Sequence, residues 1–292
     1  MSATPQTRAR FTGSPSSPQA GDVAEAVRRL DAWFAASPSI AVAFSGGVDS
    51  ALVAFWARRC LGRERLTAWI ADSPSLKRED LARAREFCTT FDIPLEELVT
   101  DELDNPNYAS NPVDRCFHCK TTLYTTLAEH LAGHCAGIWI CSGANLDDQG
   151  DYRPGLRAAA QAHVRHPLME CGLGKALIRE LARTHGLPVW NKPASPCLSS
   201  RIPYGQPVTR EKLAQIEAAE SWLLRAGFEI CRVRHFGGYA VIEVPPDRQA
   251  ELLPRLPELR EAFASMGFSG ADVDPEGFVS GKLNRGMVSS VS

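Results

Sequence analysis

The sequence lacks long apolar runs: no part of its 292 residues approaches the roughly 18 unbroken apolar residues that a membrane-spanning helix needs. Its first residues, MSATPQTRARFTGSPSSPQAG, are rich in Ser, Pro and Thr and lack the apolar core of a secretory signal peptide. Nine cysteines, an odd number, without such a signal favour reduced thiols over a disulfide framework. These absences predict a cytoplasmic protein whose residues 1–20 form a disordered tail.

An excess of either charge is also missing. A net charge of -2 and a pI of about 6.4 leave no strong field for nucleic acid or an anionic membrane. Two common nucleotide motifs, G-x-x-x-x-G-K-[ST] and G-x-G-x-x-G, are absent as well. What the chain does have is a hydrophobic share of 44%, enough for one large or two modest domains.

Strand-like and helical patterns alternate along the first two thirds of the chain. Because parallel strands need helical crossovers, this order predicts an α/β fold: a parallel sheet with helices on both faces, which binds ligands at the carboxyl ends of its strands. From residue 206 onwards, a helix precedes a hairpin with a Gly-Gly turn. We therefore expect a main domain over 21–205 and a small α+β domain over 206–292. The predicted strands are 38–44, 66–71, 95–100, 137–141 and 268–273, and the predicted helices are 48–60, 75–91 with Ser75 as N-cap, 117–132, 208–227 and 247–264.

The turn between the first strand and the first predicted helix reads SGGVDS. Glycines let the backbone N–H groups approach a ligand, the helix adds its positive end, and the serines add hydroxyl donors, so the turn predicts a phosphate site. Asp49 would repel phosphate unless a cation such as Mg²⁺ lay between them. The alternative is a tight strand-to-helix turn without a ligand. The residues of the turn are Ser45, Gly46, Gly47, Val48, Asp49 and Ser50.

The SGGVDS motif and its strand–loop–helix context resemble the PP-loop ATP pyrophosphatases. That resemblance implies ATP cleavage between the α and β phosphates, with residues 45–50 holding pyrophosphate. It also implies that Asp72 and Ser73 lie near the nucleoside. Asn145, in the loop GANLDDQGDYRPG, is a further ATP-binding candidate. Asp147, Asp148 and Asp151 in that loop suit either Mg²⁺ or simple turn capping.

Three cysteines stand in polar segments, where packing does not explain them. Cys116 and Cys119 form C-x-x-C at a helix start, where the helix N-terminus should lower the thiol pKa, and Cys197 lies in the irregular stretch KPASPCLSSR. Three such thiols suit an iron–sulfur cluster with one open iron, or a zinc site that lacks a ligand. Idle thiols are the alternative. We expect the following to be buried apolar residues: Cys60, Cys88, Cys141, Cys171 and Cys231.

Four segments resemble the LarE-type sulfur transferases, namely RCFHCK, GANLDDQGDYRPG, PLMECGLGKALIRELAR and NKPASPCLSSRIPYG. The resemblance implies that ATP adenylates the carboxylates of pyridinium-3,5-dicarboxylic acid mononucleotide and that sulfur then displaces AMP. The dithiocarboxylate product belongs to the nickel-pincer cofactor. In some members the cysteine that matches Cys197 gives up its sulfur. Others hold a [4Fe-4S] cluster on three cysteines, here Cys116, Cys119 and Cys197, and members tend towards homo-oligomers, often hexamers.

The predicted hairpin places Arg232 and Arg234 on one face, which suits the substrate phosphate. A cross-strand ion pair of Arg232 with Glu243 is the alternative. Arg201, close to Cys197, is another phosphate candidate. Lesser candidates are Lys120, Arg153 and Arg157 for ATP or phosphate charge, and Glu220 with Glu243 for a divalent ion.

Other functions use the same motif. A tRNA thiolase would need a broad basic surface or an RNA-binding domain, which the pI of about 6.4 disfavours. An ammonia-using ligase similar to GMP or NAD synthetase is another alternative, but no segment of this sequence is typical of a glutaminase. A non-catalytic AMP-binding regulator would not depend on Cys197.

Overall fold

A computed structural model describes residues 18–133, 137–150, 154–193, 195–279 and Lys282. Most of the predicted tail and the residues Cys135, Asp151 and Arg153 lie outside these ranges. The helices are α1 Ala20–Ala35, α2 Val48–Leu61, α3 Arg78–Thr90, α4 Pro106–Ala109, α5 Arg115–Leu131, α6 Pro154–Gln161, α7 Pro167–Glu170, α8 Lys175–Thr184, α9 Arg210–Arg225, α10 Gln249–Leu252 and α11 Leu256–Ser265. The strands are β1 Ile40–Ala43, β2 Leu66–Asp72, β3 Leu95–Val99, β4 Trp139–Ser142, β5 Arg232–Phe236, β6 Tyr239–Glu243 and β7 Gly270–Val273.

The first four strands form one parallel sheet in the order β3-β2-β1-β4. Strand β1 lies in the middle and is buried on both faces: Ile40 and Val42 pack with helices α1, α2, α3 and α8. Ala41 and Ala43 point the other way and pack with α5 and α6. The α/β prediction with helices on both faces is therefore confirmed, and the carboxyl end of β1 opens into the SGGVDS turn.

The last three strands form a second sheet in the order β5-β6-β7. Gly237 and Gly238 connect β5 to β6 with φ of +60° and +100°, as a primed two-residue turn requires. Helices α9 and α11 cover this sheet with Leu223 and Phe263. A separate apolar cluster lies across position 205, and its buried members are Tyr108, Leu198, Ile202, Val208, Leu213 and Ile216.

Two local predictions are wrong. Ser75 does not cap α3, which begins at Arg78 with Lys77 as N-cap, because the Ser75 hydroxyl donates instead to Glu102 at 2.5 Å. The predicted helix 247–264 is divided into α10, a 3₁₀ turn and α11, because Pro254 lacks the N–H that would continue α-helical bonding. In the described part of the chain, no helix has both the length and the apolar character to cross a bilayer.

Candidate active site

The SGGVDS turn is folded by its own serines. The Ser45 N–H donates to Ser50 Oγ at 3.1 Å, and Ser50 Oγ donates to the Gly47 carbonyl at 3.2 Å. Gly46 has φ of +67°, which only glycine adopts without strain. The N-cap residue of α2 is Gly47, which has no side chain to accept from the first N–H groups of the helix. The first N–H groups of α2 therefore face outward with the positive end of the helix, as an anion site needs.

The loop after β4 lies directly against this turn. A Cβ on Gly143 would lie only 2.6 Å from the backbone nitrogen of Ser50, so no side chain fits there. Asn145 Nδ2 donates to Asp49 Oδ1 at 3.0 Å. Burial raises the pKa of Asp49, and the nearby Lys175 lowers it in part.

The acidic residues of that loop make turns and caps. Asn145 Oδ1 accepts from the Asp147 N–H, and Asp148 Oδ2 accepts from the Asn145 N–H, both at 3.0 Å. Asp147 Oδ2 also accepts from the first N–H of α8, that of Lys175, at 2.5 Å. The capping alternative thus describes the contacts of Asp147 and Asp148.

A cavity of about 200 Å³ begins at this turn and ends at two of the three singled-out cysteines. Ser45 and Gly47 form one end, and Cys119 and Cys197 line the other. The rest of the cavity lining contains apolar residues and three lysines. The apolar residues are Phe44, Ile70, Ala71, Leu76 and Leu123, and the lysines are Lys77, Lys120 and Lys192.

The C-x-x-C pair lies in the first turns of α5, as predicted, but its thiols are not acidic. Burial raises the pKa of both Cys116 and Cys119, and the neighbouring thiols raise it further. The expected lowering by the helix N-terminus is wrong because desolvation of the thiolate outweighs it. His118 lies between the two cysteines of the C-x-x-C, and its Nε2 is 3.8 Å from Asp114 Oδ1. Within the described ranges, no group of three or more His, Cys, Asp or Glu side chains is arranged to hold a metal ion.

Cys197 is exposed, but the segment that follows it is firmly held. The Leu198 N–H donates to the Ser75 carbonyl at 2.9 Å. Ser199 Oγ lies 2.6 Å from the Tyr108 hydroxyl, and Arg115 donates to the Ser199 carbonyl at 3.0 Å. This buried network fixes Cys197 at the mouth of the cavity.

Arg201 is only 2% exposed and forms a structural ion pair. Its Nε donates to Glu220 Oε1 at 2.7 Å, and its Nη1 donates to the carbonyls of Pro196 and Cys197 at 2.8 and 3.3 Å. Glu220 also accepts from Lys77 at 2.5 Å. Arg201 thus holds the Cys197 loop, and a contact to the substrate phosphate stays a prediction.

The two hairpin arginines differ in their surroundings. Arg234 binds Glu243 through two bonds of 2.9 Å and donates to the Ser200 carbonyl at 2.8 Å. Arg232 lies opposite Glu243 in register, but its guanidinium stacks on Phe278 at 4.2 Å. Among the described residues it has no hydrogen-bond or ion-pair partner. The alternative for Arg232, an ion pair with Glu243, is wrong, because Arg234 occupies that carboxylate.

Glu220 and Glu243 do not form the divalent-ion site for which they were candidates. Each carboxylate is buried and already binds a guanidinium group, from Arg201 and Arg234 respectively. The Arg201–Glu220 pair joins the Cys197 loop to α9, whereas the hairpin contacts that loop through the bond from Arg234 to the Ser200 carbonyl.

A second cavity, of about 130 Å³, adjoins the first, and Arg232 lies in its wall. The two cavities share Lys77, Asp80, Lys192 and Ser195. The rest of its wall contains both cations and carboxylates, including Arg83, Arg201, Glu217, Glu220 and Glu229. The cavity lies between the main domain and the hairpin and is suited to a small charged ligand.

Other candidates lie at varying distances from the cavities. Ser73 is buried and lines the first cavity, whereas Asp72 pairs with Arg78 outside its wall. Lys120 lines the cavity 5.8 Å above the Tyr124 ring. Arg157, a candidate for phosphate charge, forms a surface ion pair with Asp114 at 3.3 Å.

Of the five cysteines expected to be buried, Cys88, Cys141 and Cys171 are buried, whereas Cys60 and Cys231 are partly exposed. Three functional candidates did not emerge from the sequence, namely Lys77, Lys175 and Lys192. The signal for Lys192 was its place in the NKPASPC block, five residues before Cys197.

The chain is similar to a known protein family over part of its length and to individual relatives over most of it. Residues 33–108, which contain the SGGVDS turn, match the family model described as NAD synthase. The chain is 43% identical over 246 residues to an uncharacterised protein of Synechocystis sp., covering 84% of this chain and 91% of that protein.

A characterised name comes from a second relative. The chain is 35% identical over 245 residues to the pyridinium-3,5-bisthiocarboxylic acid mononucleotide synthase of Lactiplantibacillus plantarum, covering 84% of this chain and 88% of the relative. An uncharacterised protein of Methanocaldococcus jannaschii is 26% identical over 237 residues, covering 81% and 89%. Because this relative is 35% identical over 84% of the chain, the chain belongs to the LarE-type family of ATP-dependent sulfur transferases within the PP-loop superfamily.

Proposed function

We propose that this enzyme converts both carboxylates of pyridinium-3,5-dicarboxylic acid mononucleotide into thiocarboxylates for the nickel-pincer cofactor. One observation carries the proposal: residues of the SGGVDS turn line the same cavity as Cys119 and Cys197, and a second cavity, lined by cations and carboxylates, adjoins it. The name of the relative from Lactiplantibacillus plantarum supports the same substrate.

ATP fits the first cavity with its phosphates at residues 45–50. Helix α2 and the serine hydroxyls are the donors, and Mg²⁺ beside Asp49 would offset the repulsion between that carboxylate and phosphate. The adenosine would lie against the apolar wall near Ile70 and Ala71, with Ser73 and Asn145 as neighbouring polar groups.

The pyridinium nucleotide fits the second cavity. Arg232 is the phosphate ligand we favour, because its guanidinium is buried, faces the cavity and is not neutralised by a described carboxylate. Arg234 and Arg201 complete the predicted set, with their bonds to Glu243 and Glu220 holding them in place.

The chemistry then follows in two displacements. A ring carboxylate oxygen attacks the α-phosphorus of ATP, the bond to the bridging oxygen breaks, and its electron pair leaves with pyrophosphate. Sulfur attacks the acyl carbon and AMP leaves, which converts the carboxylate into a thiocarboxylate. Holding both partners along one cavity replaces an encounter in solution.

We further propose Cys116, Cys119 and Cys197 as ligands of a [4Fe-4S] cluster. The proposal is supported by the electrostatic influence of the three thiols on one another and by the place of Cys119 and Cys197 in the wall of the cavity. Bound there, a cluster with one open iron would supply a site for an additional sulfide. Arg115 and Lys120 lie close enough to offset the charge of the thiolates.

Anaerobic purification tests the cluster. We expect a brown protein with iron and sulfide that turns over repeatedly with ATP, Mg²⁺ and sulfide, forming thiocarboxylate that mass spectrometry detects. Cys197→Ser should abolish product formation, whereas Cys60→Ser should preserve it. A colourless protein whose Cys197 loses its sulfur after one turnover would overturn the cluster and retain sulfur transfer.

We also propose a homo-oligomer in the cytoplasm, as the family resemblance implies. Light scattering coupled to size exclusion would measure the mass, and a monomer at micromolar concentration would contradict the assembly.

A further inference from the structure

Lys192 lies where three cavities meet. It lines the two cavities described above and a third of about 70 Å³, which Val48, Asp49, Lys175 and Arg179 also line. Its Nζ lies 3.0 Å from Asp80 Oδ1 and 3.4 Å from the Gly46 carbonyl. The ammonium is therefore in contact with the SGGVDS turn itself, although the sequence separation is 146 residues.

The turn needs a cation that its own residues do not supply. Cleavage between the α and β phosphates leaves negative charge on pyrophosphate, and preorganised cations stabilise such charge most where water is scarce. The SGGVDS motif offers N–H groups and hydroxyls but no lysine, and Asp49 adds a negative charge.

Lys192 is held in place by neighbouring groups. Asp80 accepts from Lys192 through Oδ1 and from Ser195 Oγ through Oδ2 at 2.9 Å. Burial favours the neutral acid, but Lys192 and Ser195 lower the pKa of Asp80, so the carboxylate stays charged. An ammonium has three N–H donors, and the two contacts leave one for a ligand.

We propose that Lys192 binds the pyrophosphate end of ATP and stabilises it as the leaving group, with Asp80 as its positioning residue. The inference rests on the proposed function, since it assigns a residue to the adenylation step. It gives the PP-loop a lysine that comes from the segment before Cys197.

Direct binding of phosphate ligands tests it. Titration calorimetry with Mg²⁺ present would compare ATP, pyrophosphate and AMP for the wild type, Lys192→Met, Lys192→Arg and Lys212→Met. Lys212 is the matched control, because it lines none of the three cavities that Lys192 lines, and among the described residues its Nζ donates to the Pro207 carbonyl, at 2.7 Å. We expect Lys192→Met to weaken ATP and pyrophosphate about 10- to 100-fold but AMP by less than about threefold. Lys192→Arg should recover part of the loss, and Lys212→Met should bind like the wild type.

Two outcomes would overturn the inference: unchanged affinity for ATP and pyrophosphate in Lys192→Met, or an equal loss for all three ligands, which would indicate a purely structural role. A wild type that binds ATP but forms no thiocarboxylate would refute the proposed function alone.

Discussion

At the scale of single residues, Gly143 sets how closely the loop after β4 approaches the SGGVDS turn. Gly143→Ala would place a methyl group 2.6 Å from the Ser50 nitrogen and 2.9 Å from the Asp49 carbonyl carbon. Because both contacts are with backbone, one of the two loops must move. We expect ATP affinity to fall at least about tenfold, the equivalent of about 1.4 kcal/mol, measured by calorimetry.

Gly21→Ala is the matched control. Gly21 lies in α1, and a Cβ there would meet nothing within 4 Å. Since alanine is the better helix former, this variant should keep its ATP affinity and its melting temperature. Equal ATP affinity in Gly143→Ala and the wild type would show that the turn tolerates displacement.

A second residue-scale prediction concerns Glu220, which neutralises Arg201 and Lys77 together. Glu220→Ala would leave two cations without their counter-charge, so we expect a loss of about 3–5 kcal/mol in the free energy of unfolding. Urea denaturation would measure it. The exposed pair Arg248–Glu251 provides the control, because Glu251→Ala should change the free energy of unfolding far less. Similar losses for the two variants would argue against the buried ion pair.

At the scale of elements, Glu170 joins α7 to α1 and to the segment beside β4. It accepts from Trp33 Nε1 at 2.8 Å, from the His166 N–H at 2.9 Å and from Arg165 Nε at 3.0 Å. Partial burial works to raise the pKa of Glu170, yet these donors hold it at about 2. The carboxylate therefore stabilises the fold fully above its unfolded pKa of about 4.3.

This stabilisation should be lost as the pH falls from about 4.3 through about 2, because the unfolded state then binds the proton first. The difference in free energy of unfolding between wild type and Glu170→Gln should shrink over that window. Urea titrations at several pH values would measure it. A difference for Glu170→Gln that is independent of pH would contradict the assignment.

Local patterns predicted the elements well and the distant contacts poorly. The apolar run of β1, the Gly-Gly of the turn and the start of α2 are neighbours in sequence, and they form the unit that was expected. The pairing of Arg234 with Glu243 could not be foreseen from period-two alternation alone, because both arginines share the face of Glu243. Lys192 contacts the Gly46 carbonyl across a sequence separation of 146 residues, and no local sequence pattern predicts such a contact.

At the scale of the whole molecule, one apolar cluster contains residues from both sides of position 205, the predicted boundary between the two domains. Ile216 of α9 is fully buried there together with Tyr108 of α4. Ile216→Ala should therefore cost about 2–5 kcal/mol, and both domains should still unfold in one transition. Hydrogen exchange measured by mass spectrometry would follow the small domain, and far-ultraviolet circular dichroism would follow the whole chain. Two separate midpoints would show that the domains unfold independently.

The wall shared by the cavities proposed for ATP and for the pyridinium nucleotide, formed by Lys77, Asp80, Lys192 and Ser195, has a practical consequence for inhibitor chemistry. A compound that tethers an adenosine to a phosphorylated aromatic ring through a short, non-hydrolysable spacer would occupy both chambers at once. Since the second half would bind at a high effective concentration, such a bisubstrate ligand should bind far more tightly than either fragment alone.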